Sequence, residues 1–241
     1  MSDAAARRWL VRAWALLVAS SALYFLADNE ADNDLWMHLF SGRRILASGA
    51  VPRLDDASYT AVGLPWVDHE WLTQVLFAWS FAHGGSTALW LLKLGVALLT
   101  AVVVWLSLAR HASTWWVRGP VMVLALATLS RGYAVRPQII TMLGVAALLA
   151  WLDRRETRLG WPALAGVAAA FAVWSNAHGA VVVGLGIVGL YALDGLRPGQ
   201  RPEVSLSSRV ALLGVVLVAV CLTPYGADLF AYVIRELRAP H

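Results

Sequence analysis

The chain has 241 residues, of which 59% are hydrophobic and only 14% charged. A soluble globular domain carries roughly 25% charged residues, so this composition excludes an ordinary soluble domain and favours an integral membrane protein. The net charge of +4 comes from loop arginines, which we interpret as topology signals rather than as a nucleic-acid surface. The single cysteine, Cys221, cannot form an intrachain disulfide.

Seven apolar runs predict the helices of one transmembrane bundle, because a span needs about 20 apolar residues. The runs cover residues 9–26, 86–109, 119–133, 137–152, 161–176, 178–193 and 210–223. Pro, Gly and charged residues mark the breaks between them, as at Arg118-Gly119-Pro120. The predicted fold class is therefore all-α, a polytopic transmembrane helical bundle of about seven spans.

The N-terminal run predicts an uncleaved first helix. It follows Arg7, Arg8 and Arg12, and positive charge before a first span favours a cytoplasmic N-terminus. A signal peptide cleaved within residues 19–22 is the alternative interpretation. We adopt the uncleaved helix because it makes the rest of the topology consistent.

Residues 69–84 decide which loops are cytoplasmic. If they crossed the membrane, the basic loops 110–118 and 153–160 would lie outside, against the positive-inside rule. If they lie along the outer interface, the cytoplasmic segments hold 11 Arg and 5 acidic residues, and the outer segments hold 7 Arg and 10 acidic residues. We adopt the interfacial arrangement, with seven spans.

This topology predicts a multi-pass protein of a bacterial plasma (inner) membrane. Its segments are a first transmembrane helix at 1–26, an outer acidic loop with amphipathic interfacial helices at 27–85, a transmembrane bundle at 86–226 and an amphipathic interfacial tail at 227–241.

The outer loop opens with acidic residues. Asp32 and Asp34 precede His38, and on a helix Asp34 and His38 would share a face. A carboxylate there can act as a general base or hold a cation, with His38 as its partner. A solvated acidic helix start is the structural alternative, since acids favour helix N-termini.

A second polar cluster lies near the end of this loop. His69 and Glu70 stand between Trp66 and Trp71, a combination that suits a sugar or a lipid headgroup; an aromatic-belt helix is the alternative. No HExxH or CxxC spacing accompanies the histidines, so we predict no metal or other cofactor; a divalent cation stays open as an alternative that the spacing does not support. A metal site would have to combine His38, His69 and His178.

Polar residues also interrupt the later apolar runs. Arg131, Arg136 and Gln138 lie between two of them. A charge at membrane depth is usually functional or paired, and a guanidinium binds phosphate or carboxylate in a bidentate fork. Snorkelling to the interface is the alternative. Asn176 and His178 form a hairpin tip with hydrogen-bonding groups, which can also be a plain helix cap.

One glycine pattern is misleading. Residues 184–189 match G-x-G-x-x-G but lie inside an apolar run, without the preceding strand that a dinucleotide-binding fingerprint needs. We interpret these small residues as contacts for close helix packing.

Several segments together resemble a known family. They are Asp32 to Leu39, Gly49 to Pro52, Ser58 to Thr60, Trp66 to Leu72, Arg136 to Gln138, Asn176 to Gly179 and Thr223 to Gly226. They resemble a bacterial membrane-protein family similar to the GT-C glycosyltransferases, of the dolichyl- or polyprenyl-phosphate-mannose transferase type. The resemblance covers residues 28–226.

The resemblance implies that an acidic residue of the first outer loop is the catalytic base, and that a lipid-phosphate-linked sugar is the donor. It makes Asp34 the first choice for the base and Asp32 the second. It implies His69 and Glu70 near the acceptor and Arg131 or Arg136 on the donor phosphate. The remaining predicted substrate-binding residues are His38, Gln138, Asn176 and His178.

Two other functions stay open. Typical relatives continue past the length of this chain, which leaves room for a non-catalytic GT-C-derived subunit within a larger membrane complex. A lipid or solute transporter is the third hypothesis, with Lys93 its only candidate charge within a span. The expected partners are membrane lipids, a polyprenyl-phosphate-linked sugar for an enzyme, and other membrane proteins for a subunit; no nucleic acid is expected.

Overall fold

The computed structural model describes residues 3–29, 31–112, 114–154, 159–196 and 204–238. Over these ranges the chain forms nine helices and no strand, so the predicted all-α fold is confirmed for them. The helices are α1 (Asp3–Leu26), α2 (Leu35–Ser48), α3 (Trp71–His111), α4 (Trp115–Ser130), α5 (Gln138–Leu152), α6 (Trp161–Ala177), α7 (Val181–Asp194), α8 (Leu206–Ala219) and α9 (Asp228–Arg238).

Two helices are long and apolar enough to cross a membrane. They are Ala5–Leu26, within α1, and Trp71–His111, which is α3. Four shorter apolar helices, α4, α5, α7 and α8, have 14 to 16 residues. At 1.5 Å per residue such helices measure about 21–24 Å, less than the roughly 30 Å of a hydrocarbon core.

Helix α3 contains a break at two glycines. Gly84 has φ −150° and Gly85 has φ +59° with ψ −151°, neither of which is helical. Only glycine adopts the Gly85 conformation readily, because a Cβ would clash with the main chain. The predicted interfacial segment and the apolar run after it therefore belong to one helix that is interrupted at Gly84 and Gly85.

The chain divides into two compact units, and the first comprises Met1–Leu35 and His83–Asp153. In it α1 packs against α4. The rings of Trp14 and Trp116 meet edge to face at 5.9 Å. A Cβ on Gly119 would lie 2.5 Å from the Trp14 ring, so this approach requires glycine.

Side chains of α3 bind main-chain carbonyls next to the end of α1. Trp90 Nε1 donates to Ala27 O at 2.8 Å, and the Lys93 ammonium donates to Asp28 O. Lys93 is only 2% exposed. Both carbonyls lie just past Leu26, the last residue of α1, so these two side chains bind the segment that follows the helix.

The predicted break at Arg118-Gly119-Pro120 is wrong. These residues lie inside α4, which begins at Trp115. Arg118 Nε and Nη2 donate to Ala112 O at 2.9 and 2.6 Å, which secures the turn before the helix. Pro120 stands near the start of α4, where it removes one main-chain hydrogen bond without ending the helix.

The second unit comprises Trp36–Ala82 and Arg154–His241. In it α8 packs against α6 and α7. A Cβ on Gly184 would lie 2.7 Å from the Trp174 ring, whereas one on Gly186 would meet nothing within 4 Å. Within the G-x-G-x-x-G pattern, close helix packing thus requires Gly184 but not Gly186.

Another close approach in this unit brings α2 against the first turns of α3. A Cβ on Gly42 would lie 2.0 Å from the main-chain oxygen of Gln74. The absence of a side chain at Gly42 lets α2 lie this close to α3. Buried His38 on α2 can therefore approach Glu70, the residue that precedes α3.

Candidate functional site

In the first unit, the two carboxylates of the first loop meet an arginine from the turn between α4 and α5. Arg136 Nε lies 3.2 Å from Asp32 Oδ1, and Arg136 Nη2 forms an ion pair with Asp34 Oδ2. The Asp34 main-chain N–H donates to Asp32 Oδ1 at 2.9 Å, which fixes one carboxylate relative to the other. Arg136 and Asp34 are 102 positions apart in the sequence.

This arginine–carboxylate cluster is accessible to a ligand. Asp34 is 48% exposed, Arg136 36% and Asp32 23%. One guanidinium between two carboxylates leaves one uncompensated negative charge. A hydroxyl can donate to such a carboxylate, and the guanidinium can bind an oxyanion that competes with the carboxylates.

The other two polar residues of that turn have different environments. Arg131 is exposed at the C-terminal end of α4. Gln138 Nε2 donates to Gly132 O at 2.9 Å, so its amide closes the turn between α4 and α5. Of the two predicted phosphate-binding arginines, Arg136 is thus the one bound by carboxylates.

In the second unit, three predicted histidines surround Glu70. His178 Nε2 lies 3.3 Å from Glu70 Oε1, His69 Nε2 lies 3.7 Å from Glu70 Oε1, and His38 Nδ1 lies 3.7 Å from Glu70 Oε2. His38 is 3% exposed, and Glu70 and His178 are 16% and 17% exposed. We call these four residues the histidine–glutamate cluster.

This arrangement differs from the pairing expected for His38. Helix α2 begins at Leu35, so Asp34 precedes the helix and does not share a helical face with His38. The His38 side chain approaches Glu70 instead. The sequence spacing indicated the residue but not its partner.

Neighbouring residues hold the histidine–glutamate cluster in place. Asn176 Oδ1 accepts from Trp71 Nε1 at 2.8 Å, and Asn176 Nδ2 donates to Leu222 O at 2.8 Å. Thr73 Oγ1 donates to Ala177 O at 2.8 Å. Asn176 is therefore a bridge between three segments.

His69 is confined on two sides. A Cβ on Gly179 would lie 2.6 Å from His69 Cδ2, and the Tyr232 ring of α9 stacks on the imidazole at 5.1 Å. Gly179 therefore permits the approach of the hairpin tip, and α9 covers the imidazole.

Sequence reasoning did not select Asp68, which lies beside this cluster. Asp68 is 3% exposed, its main-chain N–H donates to Tyr225 Oη at 2.9 Å, and Gln74 Nε2 donates to its Oδ1 at 2.8 Å. Burial raises the pKa of Asp68 to about 6. An acid between Trp66 and Trp71 was the available signal, but a charged loop residue is ordinarily exposed.

A cavity of about 450 Å³ lies elsewhere in the second unit, between one face of α2 and residues 50–66. Met37, Phe40 and Trp66 give it an apolar wall. Arg44 is bound by both oxygens of Asp56 at its rim. Asp55 accepts from the Ser58 hydroxyl at 2.6 Å.

Within the part of the chain that the structure describes, no group of three or more His, Cys, Asp or Glu side chains is arranged to hold a metal ion. Comparisons of the chain with models of protein families, with curated proteins and with solved structures found no match.

Proposed function

We propose that the chain is a multi-pass protein of a bacterial plasma membrane with seven spans. The spans are α1, residues 86–111 of α3, and α4 to α8. The N-terminus lies in the cytoplasm, and the first loop, with α2 and the first turns of α3, lies at the outer face.

The exposed apolar surface of the long helices supports this proposal. In their most apolar windows, 6% of the residues of α1 and 22% of those of α3 are buried within the chain. Leu16 and Leu23 of α1 are 69% and 57% exposed. A core helix of a soluble protein would be mostly buried, and large exposed apolar surfaces in water mark an interaction site.

The contacts between loops agree with the proposed sidedness. Arg110 and His111 pair with Asp153 at 3.5 and 3.0 Å, and Arg209 pairs with Asp194 at 3.5 Å; all five lie at cytoplasmic ends in this topology. The outer segments contact one another through Arg136 with Asp32 and Asp34, Asn176 with Leu222, Asp68 with Tyr225, and Arg53 with Pro224.

For the activity, we propose a GT-C-like glycosyltransferase that moves a sugar from a polyprenyl-phosphate donor to an outer-face acceptor. The single observation that supports it best is the contact of Arg136 with Asp34 and Asp32. The reaction needs a carboxylate to remove a proton and a cation to stabilise a phosphate, and this cluster contains both.

In the proposed mechanism, Asp34 removes the proton of an acceptor hydroxyl. The acceptor oxygen forms a bond to C1 of the sugar while the bond from C1 to the phosphate oxygen breaks. Arg136 exchanges part of its contact with the carboxylates for the lipid phosphate, whose negative charge grows as it leaves. Exposed Arg131 offers a second cation on the same turn.

A second candidate function is a non-catalytic subunit of a larger membrane complex. The observation that favours it is the same ion pair, because an arginine bound by two carboxylates also serves as a purely structural link between loops. The candidate residue of the transport hypothesis, Lys93, donates to Asp28 O, just past the end of α1.

An assay in proteoliposomes tests the transferase. The purified chain is supplied with radiolabelled polyprenyl-phosphate hexoses and an outer-membrane glycolipid extract, and transfer of label is measured. We expect Asp34→Asn to lower the transfer rate about 100-fold or more, because an amide cannot accept the proton.

Asp56→Asn is the matched control, since Asp56 is also an exposed carboxylate bound to an arginine, Arg44. It should leave transfer unchanged. Equal rates for Asp34→Asn and the unmodified chain, or no transfer from any donor of the panel, would overturn the transferase and favour the subunit.

A further inference from the structure

Two buried oxygen atoms beside the histidine–glutamate cluster have no hydrogen-bond donor among the described residues. They are Asp68 Oδ2 and Gln74 Oε1. The side chains that carry them are 3% and 2% exposed. Buried acceptors are ordinarily satisfied, because water no longer reaches them.

These two atoms belong to side chains that already contact each other. Gln74 Nε2 donates to the other Asp68 oxygen, Oδ1, at 2.8 Å. When such an amide donates through the hydrogen on the carbonyl side of its nitrogen, the remaining amide oxygen and the remaining carboxyl oxygen face each other. One hydrogen between those oxygens would satisfy both.

We propose that Asp68 keeps a proton in the folded protein at pH values where an exposed aspartate is ionised, and that its Oδ2–H donates to Gln74 Oε1. The two side chains then form a closed carboxylic acid–amide ring with two hydrogen bonds. Asp68 acts as a positioning residue for Glu70, whose main-chain N–H donates to Asp68 Oδ1 at 3.3 Å.

The neighbouring described groups direct their hydrogens elsewhere. The Tyr225 hydroxyl accepts from the Asp68 main chain and donates its own hydrogen to Pro52 O at 2.7 Å. Arg53 donates to Pro224 O. In the described part of the chain no Lys, Arg or His forms an ion pair with Asp68.

A neutral Asp68 also determines which carboxylate of residues 68–70 carries the negative charge. Glu70 lies two positions away and faces His38, His69 and His178. Two neighbouring carboxylates raise each other's pKa through repulsion. With Asp68 protonated, Glu70 is the carboxylate of residues 68–70 that carries the charge facing the imidazoles.

Burial supports the proposal, since it raises the pKa of Asp68 to about 6. A hydrogen bond from the protonated acid to Gln74 raises it further in the same direction. The inference rests on this geometry and not on the transferase.

Infrared difference spectra test it directly. At about pH 5, where an ordinary Asp is mostly ionised, the unmodified chain should show the carbonyl stretch of a protonated carboxylic acid, and Asp68→Asn should lack it. In Gln74→Leu the band should shift or vanish as the ring is lost. A spectrum identical in the unmodified chain and Asp68→Asn would overturn the proposal, whatever the stability of the variant.

Thermal unfolding gives a second readout. Asparagine at position 68 can form the same ring with Gln74, so Asp68→Asn should fold and should lack the part of the stability loss between about pH 4 and 7 that ionisation of Asp68 causes in the unmodified chain. Asp55→Asn is the control with opposite sign, because bonds from Ser58 and Ala57 lower the pKa of Asp55. Parallel pH profiles for the unmodified chain and Asp68→Asn would contradict the proposal.

Discussion

At the scale of single residues, Arg136 distinguishes the two candidate functions. It forms ion pairs with Asp32 and Asp34, and all three side chains are at least partly exposed. Pairs of this kind contribute only about 0–1 kcal/mol to stability, because water and salt screen them. A purely structural role therefore predicts small effects of its removal on every measurement.

We predict that Arg136→Gln lowers the free energy of unfolding by about 1 kcal/mol or less but lowers sugar transfer about 100-fold or more, comparable to the loss of one preorganised stabilising group. Arg44→Gln, in another exposed arginine–carboxylate pair, should have the same small effect on stability and none on transfer. Full transfer activity in Arg136→Gln would leave the arginine with a structural role alone.

The pH dependence of stability belongs to the same scale. The pKa of Asp68 rises from 3.8 to about 6 in the folded protein. At about 1.36 kcal/mol per pKa unit, this corresponds to roughly 3 kcal/mol. Because the folded pKa is raised, that stability is present below about pH 4 and is lost as pH rises to about 6 and beyond. Equilibrium unfolding at a series of pH values, compared with Asp68→Asn, measures it.

Sequence reasoning found individual site residues more readily than their partners. His38, His69, Glu70 and His178 were all selected, yet nothing in their spacing indicated that the three histidines approach one carboxylate. That arrangement depends on tertiary contacts such as Gly42 against Gln74 and Gly179 against His69. Asp68 was not selected because burial of a charged loop residue cannot be read from neighbouring residues.

At the scale of helices, the apolar runs predicted which elements exist, because a run of apolar residues is a strong local signal. Their ends were less predictable. Pro120 and Gly119 were interpreted as a break but lie within α4, where Gly119 meets Trp14 and Arg118 secures the preceding turn. These tertiary contacts outweigh the local preference of Pro and Gly to end a helix.

The break in α3 gives a prediction at this scale. Gly85 has φ +59° with ψ −151°, a region that is essentially restricted to glycine and costs other residues roughly 1–3 kcal/mol. Gly85→Ala should therefore destabilise the protein by about that amount. Gly95→Ala, in the same helix and with open space around a Cβ, should be neutral or slightly stabilising. Equal thermal stability of the two variants would contradict the proposed role of the break.

At the scale of the whole molecule, the proposal depends on which segments share a side of the membrane. Contacts within each unit join loops that one seven-span topology assigns to a common side, as with Arg136 and Asp34, or Asp194 and Arg209. That topology itself comes from the sequence, because the segments it assigns to the cytoplasm concentrate arginine. If Asp34 and Arg136 lay on opposite sides of the membrane, the transferase proposal would fail, because its base and its phosphate-binding cation would be separated.

Cysteine accessibility tests that topology most directly. In a Cys221→Ser background, single cysteines replace Ala31, Ala134 and Ala227 at the proposed outer face, and Thr114, Arg154 and Ser207 at the cytoplasmic face. A membrane-impermeant maleimide is applied to intact spheroplasts and to lysed membranes. We predict that the first three positions are labelled in intact spheroplasts and the last three only after lysis. Labelling of positions 31 and 134 from opposite sides would contradict the account, because Asp34 and Arg136 would then be separated by the bilayer.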